Sequence, residues 1–261
     1  RRTGLALLLA AFGAAWSAPA RAQAPAAPST YEPTSGQAGK DVVWVPTPQV
    51  LVDKMLDMAK LRRRDFVMDL GSGDGRTVIT AARRGARALG VEYNPDMVEL
   101  SRRNAEQEGV AGKASFIKAD LFETDFSKAS VITMFLLPDI NLKLRPKILA
   151  LKPGTRIVSN SFNMGDWPAD ETATLTSDAG CNTSWCTALL WIVPARAAGT
   201  HKLPQGELIL KQQFQTLSGT LRAEGRTVPI GSGKVRGEEI TFTAGSRKYR
   251  GKMNGKRLEL R

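Results

Sequence analysis

A chain of 261 residues with 42% hydrophobic content has an ordinary globular composition and is long enough to bury a sizeable core in one domain or two. Its formal charge of +12 invites comparison with nucleic-acid and membrane binders, yet residues 23–195 hold 20 basic and 20 acidic groups, while residues 196–261 hold 14 basic against 5 acidic. The long central region therefore has no electrostatic footprint for DNA or RNA, and the basic character belongs to the two ends. A single histidine, His201, excludes a histidine metal cluster or a histidine-based triad in the catalytic region, and no metal site is expected.

Taken in chain order, Arg1 and Arg2 precede an apolar stretch over residues 4–16 and the small-residue run ending Ala20, Arg21, Ala22. This reads as an export signal over residues 1–22, cleaved near Ala22, and implies an exported, periplasmic protein. The apolar stretch is shorter than the ~20 residues that span a bilayer. Residues 23–40, rich in Ala, Pro, Ser and Gly, read as a flexible linker.

Apolar spacing predicts a helix over residues 45–61 with Thr47 as N-cap and Pro48 in the first turn. Strands follow over 66–70, 88–92, 114–118, 131–137 and 155–159, with helices over 77–84, 95–108 and 142–150 between them. The alternation implies a parallel sheet covered by helices on both faces. Runs over 172–175 and 187–193 lack a helical pattern and read as an antiparallel pair closing the sheet edge. Cys181 and Cys186 fall in their connection, either as a small disulfide in an oxidising compartment or as two buried thiols. The fold class is thus α/β, a Rossmann-like doubly wound seven-stranded sheet over residues 41–196. From 199 to 261 short alternating runs over 207–214, 216–222, 226–230, 234–235, 239–243, 248–252 and 257–260 are punctuated by glycines. They predict a small antiparallel, basic all-β domain.

The chemistry concentrates at the carboxyl ends of the predicted strands. In DLGSGDGR, residues 69–76, Gly71, Gly73 and Gly75 let the backbone turn tightly between strand and helix, Ser72 lies in the same cofactor-binding loop, and the helix N-terminus supplies free N–H donors. A methionine carboxylate satisfies those donors. Asp69, before the first glycine, suits a ligand carrying an ammonium better than a pyrophosphate, which favours S-adenosylmethionine over NAD. Glu92, at the end of the next strand, is placed to accept from both ribose hydroxyls. Asp120 ends the strand after that, where it can accept from an adenine amino group while Leu121 packs on the ring. Three acids at successive strand ends are far more specific than any one of them.

On these residues the chain resembles the seven-strand class I methyltransferases. It resembles in particular the mitochondrial protein-lysine methyltransferases that modify the ATP synthase c subunit and the adenine nucleotide translocase, through VPTPQVLVDKML, DLGSGDGR, GVEYNP and KPGTRIVSNSF, over roughly residues 42–195. The resemblance implies methyl transfer from S-adenosylmethionine to an amine such as a protein lysine, and it adds Thr47 to the cofactor site. Base methylases often carry an Asn/Asp-Pro-Pro-aromatic motif after the fourth strand; here stand Phe135, Leu136, Leu137, Pro138 and Asp139, which argues against a nucleic-acid acceptor. Asp139 and Asn141 are the nearest polar groups to orient a substrate, the competing role of Asp139 being a helix cap. Trp167, Trp185 and Trp191 read either as core residues or as the lining of a cation-binding pocket. Two readings of different class remain: an exported methyltransferase, or a non-catalytic binding module on that fold. In either, the basic C-terminal domain is expected to meet an anionic membrane or envelope surface.

Overall fold

The computed structural model describes residues 31–261; the expected export signal and residues 23–30 of the expected linker lie outside them. The first sheet is built on β1 (Phe66–Leu70), β2 (Arg87–Glu92), β3 (Ala114–Lys118), β4 (Val131–Met134), β5 (Arg156–Asn160), β6 (Glu171–Thr174) and β7 (Thr187–Ile192). Its order is β3-β2-β1-β4-β5-β7-β6. The first five strands run parallel, and β7 lies between β5 and β6, antiparallel to both. Parallel neighbours require crossovers, supplied here by α2 (Arg76–Arg83), α3 (Pro95–Gln107) and α4 (Pro138–Leu149), while α1 (Gln49–Met58) precedes β1.

The side-chain period of two in each strand divides the core. Val67, Val131 and Val158 pack with Leu51, Val52, Leu56, Val78, Ala81 and Val98 of the first three helices. Met68, Leu70, Ile132, Met134 and Ile157 face the other way, toward Ile140, Leu144 and Ile148 of α4. A sheet apolar on both faces accounts for the wholly buried β4.

Several boundaries differ from the sequence reading, three of them at residues singled out there. The first helix starts at Gln49, with Pro48 at the N-cap and no side-chain cap. Pro46 and Pro48 hold the chain extended up to that point, so Thr47 is not the cap. Its hydroxyl instead accepts from Asn160 Nδ2 at 3.3 Å. Strand β4 ends at Met134 rather than Leu137, and α4 begins at Pro138 rather than Leu142. Proline at the first helical position is preorganised for it, so Asp139 lies in the first turn and does not cap the helix.

The second sheet is an antiparallel meander of β8 (Gly199–Leu203), β9 (Gly206–Gln213), β10 (Thr216–Ala223), β11 (Arg226–Arg236), β12 (Glu239–Ala244), β13 (Arg247–Asn254) and β14 (Arg257–Leu260). Two runs expected as separate strands, 226–230 and 234–235, are one strand, β11, whose register shifts between Gly231 and Lys234 against β12. A bulge of this kind bends a strand without ending it. Strand β8 has only half-buried and exposed residues, so it carried no alternating signal. Leu208, Leu210, Leu221, Val235, Ile240, Phe242 and Met253 form the core of this sheet.

Glu32–Arg261 form one compact unit. Phe214 stacks on Trp167 with ring centroids 5.8 Å apart at 14°. Gln215 Nε2 donates to the Pro168 carbonyl at 2.7 Å, and Ala195 N–H donates to the Gly237 carbonyl at 2.7 Å. Lys234 pairs with Asp170 at 3.2 Å, and Arg236 pairs with Glu171. Trp167 and Trp191 are both fully buried, and Trp191 Nε1 donates to the Trp167 carbonyl at 2.9 Å. These two tryptophans are core residues, and of the three considered only Trp185 stands at a cleft.

Candidate active site

The run DLGSGDGR turns from β1 into α2 at the carboxyl edge of the sheet. Gly71, Gly73 and Gly75 have φ of 77°, 54° and 84°, the left-handed region that side chains avoid. At Gly75 a Cβ would also stand 2.8 Å from Phe116 and 2.9 Å from Ser101 Cβ. The loop's outward carbonyls are held by α3: Ser101 Oγ donates to Gly73 O at 2.8 Å and Asn104 Nδ2 to Asp74 O at 3.0 Å. Gly71 and Ser72 N–H both donate to Val91 O. Ser72 is buried against Gly90, its hydroxyl without a hydrogen-bond partner. Arg76 joins the loop to the chain before α1, donating to Asp74 Oδ1 at 3.0 Å and to the Thr47 carbonyl at 3.0 Å.

Asp69, Glu92 and Asp120 all line one cleft with Gly71, Ser72, Gly73, Leu121 and Thr47. Asp69 is buried and accepts from Thr133 Oγ1 at 2.6 Å. Burial drives its pKa up, the Thr133 bond opposes that, and the charges of Asp74 and Glu92 add to the rise, leaving it at about 7. A desolvated carboxylate whose neighbouring charges are themselves acidic is the electrostatic complement of a ligand ammonium. Glu92 is aimed by three backbone amides: Gly73 N–H on Oε2, and Tyr93 and Asn94 N–H on Oε1, each at 2.9 Å. Asp120 accepts from Phe122 N–H at 2.9 Å and is ion-paired with Lys40. Those hydrogen bonds, led by the one from Lys40, hold its carboxyl below the usual range.

Sequence reading missed the segment that covers these acids. Gly36 N–H donates to Trp44 O at 2.8 Å and Trp44 N–H to Gln37 O at 2.9 Å, closing a loop whose residues Gln37 to Thr47 line the cleft. Lys40 reaches Asp120 and stands 4.8 Å over the Tyr93 ring. The Trp44 indole lies so close to the glycine loop that a Cβ on Gly73 would be 2.4 Å from its Nε1. The signal for this strap was the apolar VVWV run after Lys40 and Asp41, too short to show a period.

The opposite wall is apolar and aromatic. Phe135, beyond the end of β4, stacks with Phe162 at 5.8 Å and 22°, and Trp185 leans on both, at 5.9 Å and 5.2 Å. Leu136, Leu137 and Ile140 extend this wall. Asp139 and Asn141 do not line the cleft. Asp139 is exposed, whereas Asn141 is fully buried and donates to the carbonyls of Phe162 at 3.3 Å and Asn163 at 3.1 Å. Cys181 and Cys186 are joined in a disulfide.

The strand order, with β7 inserted antiparallel between β5 and β6, and an acid at the end of β1 and β2 and just beyond β3 define a class I methyltransferase that uses S-adenosylmethionine. A family model described as the ANTKMT methyltransferase domain matches residues 69–171. A protein-lysine N-methyltransferase of Saccharolobus islandicus is 47% identical over 133 residues, covering 50% of this chain and 83% of the relative. The human lysine N-methyltransferase of the ATP synthase c subunit is 36% identical over 54% of this chain and 59% of its own length. Among solved structures, an RNA methyltransferase from Salinibacter ruber in complex with S-adenosyl-L-homocysteine is 47% identical, with a TM-score of 0.53 over 57% of this chain and 94% of that one. The chain belongs to the protein-lysine N-methyltransferase family.

Proposed function

We propose that the protein transfers a methyl group from S-adenosylmethionine to the side-chain amine of a protein lysine. The observation that carries this reading is the two-part cleft, with carboxylates and glycine backbone on one side and the acid-free wall of Phe135, Leu137, Phe162 and Trp185 on the other. Asp69 is suited to the donor's ammonium, the amides at the start of α2 to its carboxylate, Glu92 to the ribose hydroxyls, and Asp120 with Leu121 to the adenine. Thr47 joins this set through the family resemblance and its place in the lining. When bound, S-adenosylmethionine supplies an electrophilic methyl carbon on a sulfonium sulfur.

The aromatic faces admit the ammonium on entry, and once water is displaced the apolar surroundings favour its neutral form, so the lysine is deprotonated before transfer. Its nitrogen lone pair then forms the new N–C bond as the C–S bond breaks, that electron pair staying on sulfur, and the proton of the methylated amine passes to water. In-line positioning is the main requirement, and no dedicated base is needed. Asn141 serves by holding the 162–163 turn, and thereby Phe162, in place. Phe135, Leu136 and Leu137 in place of an Asn/Asp-Pro-Pro motif favour a protein over a nucleic-acid acceptor. The relatives' names as methyltransferases favour turnover over a non-catalytic module.

Export to the periplasm belongs to the same proposal. It is supported by the leader over residues 1–22 and by the Cys181–Cys186 disulfide, since such bonds persist in oxidising compartments. Incubation with labelled S-adenosylmethionine and an envelope extract should place label on lysine in a protein, identified by mass spectrometry. Label recovered in RNA, or in no macromolecule, would overturn the acceptor assignment; a reporter fused to the leader tests the compartment.

A further inference from the structure

We propose that Trp185, carried on the disulfide-closed loop between β6 and β7, is the ring against which the incoming lysine side chain packs, so that acceptor affinity depends on the Cys181–Cys186 bond. The inference rests on the lysine reading above and names the residue that receives the acceptor. Of the three tryptophans discussed, Trp167 and Trp191 are fully buried, as large indoles in a stable core should be. Trp185 is only half-buried, in the lining of the cleft that contains Asp69 and Glu92. A ring left partly uncovered beside a cofactor site is explained by a second ligand that covers it.

The chemistry of the neighbouring rings narrows that ligand. Phe162 and Phe135 stand 5.2 Å and 5.9 Å from Trp185, tilted by 46° and 60°. Their combined surface suits an alkyl stem ending in an amine, because aromatic faces attract a cation and also pack on methylenes. Phe135 and Phe162 are held by the ends of β4 and β5, the latter with help from Asn141. Trp185 lies on a loop. Its backbone N–H donates to Thr183 Oγ1 at 3.1 Å, within the same loop.

The loop is closed at its base by the buried disulfide, with Cys181 N–H donating to Thr176 O at 3.2 Å and Leu175 N–H to Cys186 O at 2.8 Å. Trp185 is the immediate neighbour of Cys186, so the bond fixes where the indole can go. Opening it takes two electrons and two protons from a dithiol, which itself becomes a disulfide, and leaves two thiols and a longer, freer loop. Trp185 is therefore the acceptor-binding residue, and the cysteine pair acts through it as a positioning device.

The test uses the full chain saturated with S-adenosylhomocysteine and Nα-acetyl-lysine methylamide as the acceptor probe, followed through the indole N–H resonance of Trp185. The probe should shift that resonance, and its norleucine analogue should shift it far less. Trp185→Ala should weaken the probe's Kd by about fivefold or more, with Trp185→Phe recovering most of the loss. The Cys181→Ala/Cys186→Ala double variant should weaken it in the same direction while the cofactor's Kd, read by calorimetry, stays within about twofold. With the natural acceptor protein, these variants should raise KM and leave kcat nearly unchanged. No shift at Trp185, or unchanged probe affinity in Trp185→Ala, overturns the acceptor role; unchanged affinity in the cysteine variant overturns the positioning role. Failure of the wild type to bind the cofactor would instead sink the underlying methyltransferase reading, so the two failures are distinguishable.

Discussion

Asp69 and Asp65 stand at opposite ends of β1 and respond to pH in opposite senses. Burial raises Asp69 to about 7, so the folded protein holds that proton more tightly than the unfolded chain. The stability this contributes is complete below the ordinary carboxyl value and is lost as pH rises toward 7. In the site proposed above, donor binding needs the ionised carboxylate. The cofactor's Kd should therefore weaken by up to tenfold for each pH unit below about 7, and an Asp69→Asn variant should bind weakly with this dependence gone. Calorimetry between about pH 5.5 and about pH 8 checks both, and a pH-independent wild type would refute the charge assignment. At Asp65 burial is outweighed by hydrogen bonds from Arg156, the Arg62 amide and Ser130, so its pKa is lowered. Its stabilisation is present above the ordinary value and lost as pH falls through the depressed one. Asp65→Asn should thus be less stable than wild type at neutral pH, with the gap closing in acid unfolding curves. Gly75→Ala combines a φ of 84° with contacts below 3 Å to Phe116 and Ser101. It should cost roughly 1–3 kcal/mol in denaturant unfolding and weaken cofactor binding with it.

Among the elements, those with a strong local pattern were legible before any contact was known. Strand β1, running into the glycine loop, and helix α3, which Asn94 caps, had a clear local signal, whereas the β6–β7 pair was read from the lack of a helical pattern. The misplaced boundaries share one cause: apolar residues continue past the end of an element because they line a cleft. Phe135 to Leu137 extend the apolar run of β4 although pairing with β1 and β5 stops at Met134. The same logic hid the strap, whose Trp44 is ordered by the glycine loop below it. Where an element's residues meet only other core residues, substitution should affect stability alone. Trp191→Phe removes the donor to the Trp167 carbonyl and should cost about 1–3 kcal/mol in chemical denaturation. Cofactor affinity should not change, and a parallel loss of binding would contradict the core assignment of Trp191.

On the scale of the molecule, the basic excess of the described residues lies in the C-terminal region, whose sheet packs against the methyltransferase body. Lys234 and Arg236 are engaged by Asp170 and Glu171, but Arg247, Lys248 and Arg250 of β13 are exposed. The proposed role of this sheet in meeting an anionic surface predicts that the protein co-sediments with phosphatidylglycerol-containing vesicles at low salt and is released at high salt. Charge reversal at those three residues should abolish the association without altering cofactor binding; unchanged sedimentation would remove the surface role.

What the sequence by itself determined is the cofactor half of the protein. The cradle and the three acids lie within short stretches after strands, so their placement follows from local pattern and parallel topology alone. Tertiary structure decided the half proposed to receive the acceptor. Phe135 and Phe162 meet because β4 pairs with β5, and Trp185 joins them because β7 enters beside β5. It also decided the fates of Thr47, Asp139 and Asn141, polar residues whose roles depend on burial and on partners more than twenty positions away or on none. Local periodicity encodes which face of a strand is apolar, but not which loops converge, and that convergence is what sets an aromatic wall opposite the glycine loop and its acids.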